Sequence, residues 1–286
     1  MLDGKPGVCN QIVLPGAARR PVADVVLADV PVEAGNAVLA ELRRLDLHRD
    51  GSITIERLDT ALSDRHREAE DEAPGDPSEA VVWEEVEWRM RRDRGWSMSY
   101  GVLLVSAVLI AAAGILTDTV VLIVGAMVIG PEYGPLSGIA WGLDRGRRRW
   151  VTEGLRALVL GFGLAIAATA LMTLLIRWGG WVPDAYAAGL RPLTRFISEP
   201  NGWSVFVAVV AAIAGTVSTT EAKSGALVGV LISVTTVPAA GAIGVAAAFG
   251  NWGEMGGATV QLAVNLVAIV LAGSATLAAQ RRLVPT

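Results

Sequence analysis

The sequence predicts a mainly α-helical membrane protein. We expect a six-span transmembrane bundle of two inverted three-helix repeats, preceded by a small cytoplasmic α/β domain. Long uncharged segments, an uneven charge distribution and a repeated motif lead to this fold class. About 20 apolar helical residues cross the hydrocarbon core of a bilayer. The long segments without Lys, Arg, Asp or Glu are Ser97–Thr117, Ala157–Ile176, Pro200–Thr220, Ser224–Gly253 and Met255–Gln280.

Charge is concentrated in the first third of the chain, which predicts a soluble module ahead of the membrane module. Residues 1–95 hold 13 Lys or Arg and 20 Asp or Glu, whereas residues 96–286 hold 11 and 8. Because there is no large basic patch, we expect no nucleic-acid partner. Cys9 is the only cysteine and His48 and His66 are the only histidines. We therefore expect no metal site and no cofactor.

Residues 1–64 are predicted to form a soluble α/β domain in the order β-α-β, which is half of a ferredoxin-like domain. Val22–Val30 is rich in valine and bounded by prolines, as is typical of a strand. Helical spacing of apolar residues follows over residues 32–46. Ser52–Leu58 alternates apolar and polar residues, which predicts the second strand. Such a domain either binds a regulatory ligand or pairs with another copy of itself.

The next segment connects the two modules. Residues 65–77 are charged and contain proline and glycine, so we predict an acidic, flexible linker. Residues 78–95 then predict an amphipathic helix, with Val82, Val86 and Met90 on one stripe. This helix is expected at the membrane surface, against a neighbouring subunit, or as a connection covered by the soluble domain.

Residues 96–286 are predicted to form the transmembrane domain. Arginine clusters precede the first span and follow the second, and further basic residues follow the fourth and sixth. The positive-inside rule then places both termini in the cytoplasm of a multi-pass protein of the cell membrane. The predicted spans are 98–117, 119–142, 155–177, 203–221, 224–249 and 258–279.

A motif recurs between the two halves of this domain. Ala113–Thr119 and Ala214–Thr220 share the pattern Ala-Gly-x-x-(Thr/Ser)-x-Thr. Downstream, Pro135-x-x-Gly matches Pro238-x-x-Gly at a similar offset. Because each unit has three spans, the second enters the membrane from the opposite side, as in many secondary transporters. Chance similarity between small-residue segments is the alternative explanation.

Spans two and five are each predicted to be broken by proline, which removes amide donors and clashes with preceding carbonyls. Backbone groups freed inside lipid need shelter in protein or a cavity. Glu132 follows the first break, and a charge at the bilayer centre costs at least about 2.5–3.5 kcal/mol. It is interpreted as a proton or cation site, or as a structural acid. The candidate binding residues are Gly130, Pro131, Glu132, Tyr133, Thr235, Thr236, Pro238, Gln261 and Asn265.

Three groups of residues in spans two, five and six carry a family resemblance. They are Val124–Pro131 with Gly134-Pro135, Ser224–Val230 with Ile232-Ser233 before Pro238, and Asn265–Val270. Over residues 97–280 the chain resembles the bacterial hydrophobic-domain membrane family called domain of unknown function 389. The resemblance implies a multi-span membrane protein, often with a small α/β domain ahead of it, and implies no activity. The chain departs from the commonest pattern at Glu132-Tyr133 and in having one proline, not two, in span five.

Two functional hypotheses follow. The first is a secondary transporter or channel for a small solute or ion, with its site at the broken helices of spans two and five. The second is a non-transporting membrane scaffold or sensor whose N-terminal domain binds a ligand or partner. The spans hold no Ser-His, His-Glu-x-x-His or paired-Asp constellation, so we expect no enzyme. Their many glycines and alanines predict close helix packing and a homo-oligomer in contact with membrane lipid.

Overall fold

The computed structural model divides the chain into two compact units. The N-terminal unit covers residues 1–88 and 281–286, and the helical unit covers residues 89–280. Side chains of residue 196 and residues 225–235 are not described. The residues that the structure describes are 5, 7–56, 58, 62–73, 80–198, 202–220 and 225–283.

The N-terminal unit begins with a two-stranded antiparallel sheet and continues into helices. Strand β1 (Cys9–Arg19) pairs with β2 (Val22–Asp29), so that Cys9 lies opposite Asp29. Strand β2 and helix α1 (Val32–Arg44) confirm the predicted first strand and the helix after it. The remaining helices are α2 (Leu47–Asp50), α3 (Asp64–Glu72) and α4 (Trp83–Asp93), of which α4 continues into the helical unit.

The predicted β-α-β order was wrong. Residues 52–56 and 58 lie in neither helix nor strand, and β2 instead pairs with a strand that precedes it. The sequence concealed β1 because Pro15 and Gly16 interrupt its apolar run, and proline argues against a regular strand. The pairing register shifts between Leu14 and Ala18, so these two residues lie in an irregular part of the strand.

Helix α3 lies where a flexible linker was predicted. Ser63 caps its start, since the Ser63 hydroxyl accepts a hydrogen bond from the backbone N–H of His66. Charged composition alone therefore did not distinguish an exposed helix from a linker. Residues 74–77 of the predicted linker lie outside the described residues. Further on, the predicted amphipathic stripe of Val82, Val86 and Met90 is at most 8% exposed, and the helix observed there, α4, begins at Trp83.

The helical unit contains most of the described residues. Four of its helices are long and apolar enough to cross a membrane, or five if a bent pair counts as one span. These helices coincide with the predicted spans one to four and six, and α11 occupies the predicted span five. The helices are α5 (Met98–Leu116), α6 (Val120–Ile129), α7 (Tyr133–Asp144), α8 (Arg148–Trp178), α9 (Asp184–Ala187), α10 (Gly202–Thr220), α11 (Gly225–Phe249) and α12 (Trp252–Leu283).

Helix α11 packs against α5, α6, α8 and α10, so it is central to the unit. Small side chains permit this packing: Ala107 and Ala111 on α5 and Ala239 and Ala240 on α11 are fully buried. A Cβ atom on Gly244 of α11 would lie only 2.7 Å from the side chain of Thr169 on α8. Helices in membranes associate through such close contacts between small residues.

The two proline-containing segments differ in backbone structure. Helices α6 and α7 are separated after Ile129 and bent by 56° at the break. Helix α11 instead continues through Pro238, which corrects the prediction of a second break. Pro131 and Pro135 lie four residues apart, with Gly130 and Gly134 beside them, whereas Pro238 stands alone. A single proline removes only one backbone donor, and neighbouring helices can accommodate that loss.

Candidate functional site

The break between α6 and α7 places a carboxyl group inside the helical unit. Glu132 occupies the position before the first residue of α7, and its carbonyl accepts a hydrogen bond from the N–H of Leu136 at 3.1 Å. The side chain of Glu132 is fully buried. Because the helix starts again at this residue, its side chain leaves the backbone where the ordinary helical hydrogen bonds are interrupted.

Glu132 connects the break to α11. The Thr236 hydroxyl donates a hydrogen bond of 2.6 Å to Oε1 of Glu132, and Thr236 is fully buried as well. A buried carboxyl group is costly unless it is hydrogen-bonded and its charge is either compensated or removed by a proton. The pair therefore has the chemistry of a proton-binding or cation-binding point. The sequence had grouped Glu132 with Thr235 and Thr236 as a candidate binding site, and the hydrogen bond brings two of these three residues together.

The neighbouring residue, Tyr133, contacts a different helix. Its hydroxyl donates to the carbonyl of Gly215 on α10 at 3.3 Å and is also hydrogen-bonded to the Thr219 hydroxyl. Thr219 in turn donates to the Gly215 carbonyl at 2.8 Å. The start of α7 is thus linked to α11 through Glu132 and to α10 through Tyr133. Sequence reasoning placed Tyr133 at the site but missed Thr219, although Thr219 belongs to the repeated motif.

The space beside the break is small. A cavity of about 10 Å³ lies next to Tyr133, between α7, α10 and α12. This is at most the space of about one water molecule. In the part of the helical unit whose side chains are described, the cavity beside Tyr133 is therefore too small to pass a solute. The cavity beside Tyr133 is lined by Met90, Tyr133, Leu136, Ser137, Ala140, Ala212, Thr216, Ile269, Gly273 and Leu277.

The other predicted site residues are buried to different degrees. Gly130 and Pro238 are buried, and Pro131 is half-buried. Gln261 and Asn265 lie four residues apart on α12 and are buried, at 6% and 0% exposure. The side chain of Thr235 lies outside the described residues. Within the predicted set, Glu132 and Thr236 are therefore in direct contact.

A second, open pocket lies away from the break and was missed by the sequence analysis. It has a volume of about 360 Å³ and is formed by the segment before α10 and the turn between α11 and α12. Arg191 forms an ion pair with Glu254 at its wall, and Arg195 also lines it. In the sequence these arginines were considered only for their contribution to topology. The pocket is polar and shallow, so it offers a surface for charged groups and not a buried site.

The fold and the buried polar contact define a helical membrane protein with a carboxyl group at a helix break. The chain belongs to the family described as Domain of unknown function (DUF389), whose profile matches residues 127–271, slightly more than half of the chain. The matched region contains the break, Glu132 and Thr236.

A relative of this chain comes from Methanocaldococcus jannaschii. The uncharacterized protein MJ0678 of that organism is 24% identical over 170 residues, which cover 59% of this chain. The chain spans about half the length of this curated relative, since the match covers 50% of it. No solved structure matches the chain.

Proposed function

We propose that the protein is a secondary transporter for a small solute or ion in the cell membrane, in a closed conformation. The hydrogen bond between Glu132 and Thr236 carries the proposal, because it joins a broken helix to a continuous one through fully buried polar groups. Intramembrane ionisable residues are rare and are characteristic of ion and proton pathways. Six spans with both termini in the cytoplasm, arranged as two inverted repeats, are the topology that we propose with it.

The proposed mechanism uses the break as a hinge. Gly130 and Pro131 leave the two half-helices without continuous backbone hydrogen bonds, so α6 and α7 can rotate relative to each other at low cost. Separation of Glu132 from Thr236 would admit water, and the exposed carboxyl could then exchange a proton or accept a cation. Reforming the bond requires a neutral or compensated carboxyl group. Binding of a proton or cation to Glu132 is thereby coupled to closure of the break, in which the hydrogen bond to Thr236 forms again.

Ion flux in proteoliposomes tests this role. Purified protein is reconstituted with a pH-sensitive dye inside, and pH, Na⁺ and K⁺ gradients are imposed in turn. We expect gradient-driven proton movement in the wild type and its loss in Glu132→Gln, which keeps the shape but cannot ionise. Asp184→Asn is the matched control, because Asp184 is an exposed acid at the start of the short helix α9. Equal flux in wild type and Glu132→Gln would exclude Glu132 from the transport step.

The small cavity favours a second candidate function, that of a non-transporting membrane scaffold or sensor. A cavity of about 10 Å³ does not pass a solute, and Glu132 would then be a structural acid that joins α7 to α11. Thiol labelling distinguishes the two functions. Because Cys9 is the only cysteine, Ser137→Cys in a Cys9→Ser background places one thiol in the lining of this cavity.

The labelling outcome separates transport from a purely structural role. A transporter that opens exposes the Ser137→Cys thiol to a membrane-impermeant maleimide, and the rate of labelling changes with the imposed gradient. A scaffold leaves the thiol unlabelled under every gradient. A cysteine at exposed Trp252 in the same background serves as the labelling control.

We also propose that the protein forms a homo-oligomer. Val260, Val264, Val267 and Leu271 are exposed along one stripe of α12, at spacings of three and four residues. In a membrane such a stripe faces either lipid or a second copy. Mass measurement in mild detergent tests the association, and a monomer would contradict it.

A further inference from the structure

We propose that the N-terminal unit carries a binding site for a divalent transition metal ion, best suited to Zn²⁺, formed by Cys9, Asp29 and His66. One ligand atom from each of these residues lies within 4.8 Å of the other two. The Cys9 sulfur and Nδ1 of His66 are 3.9 Å apart. The proposal concerns a region outside the helix break and does not depend on transport.

The fold brings the three residues together from three separate elements. Cys9 starts β1 and Asp29 ends β2, and the register of the sheet pairs them directly. His66 lies in the first turn of α3, where the Ser63 cap holds its backbone N–H at 3.3 Å. Each ligand therefore belongs to a strand or a helix, and sites built on such elements are more precise than sites on loops.

The distances suit a tetrahedral ion with little movement. Zn–S bonds of about 2.3 Å and Zn–N bonds of about 2.0–2.1 Å place two tetrahedral ligand atoms about 3.6 Å apart. The observed separation of the Cys9 sulfur and His66 nitrogen, 3.9 Å, exceeds this value only slightly. Small rotamer changes would therefore bring sulfur, nitrogen and a carboxylate oxygen of Asp29 onto one ion.

Two further residues hold the ligands in the way that metal sites require. Oε1 of Glu70 lies 3.5 Å from Nε2 of His66, the ring nitrogen that does not face Cys9. A carboxylate in this position orients the ring and makes the coordinating nitrogen more basic. The Asn10 amide donates to Oδ2 of Asp29 at 2.7 Å and orients that carboxylate. Both ligands thus have outer partners before any ion is considered.

The ligand set also indicates which ion binds. A thiolate, an imidazole and a carboxylate together suit Zn²⁺ and Co²⁺ better than Mg²⁺ or Ca²⁺, which prefer oxygen ligands. Three protein ligands leave the fourth tetrahedral position for water or an external ligand. Cys9, Asp29 and His66 are all only half-buried, so an ion can enter and leave. An exchangeable ion of this kind fits a sensing role better than a purely structural one.

The charge around Cys9 favours a cation. The cluster holds two carboxylates, because Asp29 is one of the ligands and Oε1 of Glu70 lies 3.5 Å from Nε2 of His66. Binding of a metal ion offsets this negative charge and displaces the thiol proton. The sequence analysis expected no metal site because it looked for several ligands of one type close together. Here three ligand types come from distant parts of the chain, and only the fold assembles them.

Cobalt titration of the full-length protein in detergent tests the site. We expect one equivalent of Co²⁺ to produce a near-ultraviolet thiolate-to-metal charge-transfer band and Zn²⁺ to abolish it by competition. Because Cys9 is the only cysteine, this band can arise only from Cys9, and Cys9→Ser should remove it. His66→Asn should weaken binding strongly, and Glu70→Gln should weaken it about 10–100-fold.

The chain provides a matched control, because it has only two histidines. His48 is exposed and lies outside the cluster, so His48→Asn should bind Co²⁺ as the wild type does. Far-ultraviolet circular dichroism checks that each variant is folded. Absence of the charge-transfer band in the wild type, or unchanged Co²⁺ affinity in a folded His66→Asn variant, would overturn the proposal.

Discussion

The segments α6–α7 and α11 both contain proline within the helical unit, yet only the first is broken. Two prolines spaced by four residues, each preceded by a glycine, separate α6 from α7 and bend the chain by 56°. Pro238, without a second proline nearby, is contained in a continuous α11. The comparison shows that proline density and local flexibility decide whether a buried helix breaks, and that one proline alone does not.

The difference also determines what each segment contributes to the site. The break places Glu132 immediately before the first residue of α7, and the continuous helix α11 presents Thr236 to it as a hydrogen-bond donor.

The largest expected effect comes from filling the space beside the break. A Cβ atom on Gly134 would collide with the backbone carbonyl oxygen of Asp93, so Gly134→Leu should destabilise the protein by about 3 kcal/mol or more. Gly125 on α6 has open space where its Cβ would be. Gly125→Leu should therefore cost less than about 0.5 kcal/mol. Thermal unfolding in mild detergent measures both, and similar losses in the two variants would contradict this packing.

The contact between the two segments should contribute less, but measurably. Thr236→Val removes the donor to Glu132 in a buried setting and should cost about 1–3 kcal/mol. Thr169 on α8 is equally buried, and its hydroxyl has no hydrogen-bond partner among the described residues. Thr169→Val should consequently leave the unfolding temperature unchanged or raise it. Equal losses in the two valine variants would mean that the Glu132–Thr236 bond does not stabilise the fold.

Much of the helical unit could be predicted because membrane helices follow from local hydrophobicity. The bounds of α5 and α10 lie close to the predicted spans, and Glu132 was singled out because a charged residue is rare in such a segment. The closed packing around Glu132 could not be predicted, since it depends on which helices meet at Gly134. The grouping of Cys9 with His66 could not be predicted either. Strand β1 was not recognised in the sequence, so the strand pairing that positions Cys9 was not expected.

The smallest expected effect concerns the continuous helix. Pro238→Ala restores one backbone N–H within α11, but the surrounding helices are already packed around the proline-containing form. The gained hydrogen bond and the altered packing should nearly cancel, so the unfolding free energy should change by less than about 1 kcal/mol. Unfolding in detergent measures this change. If Pro238→Ala lowered the unfolding free energy as much as Gly134→Leu does, α11 would require its proline as the broken segment requires its glycine.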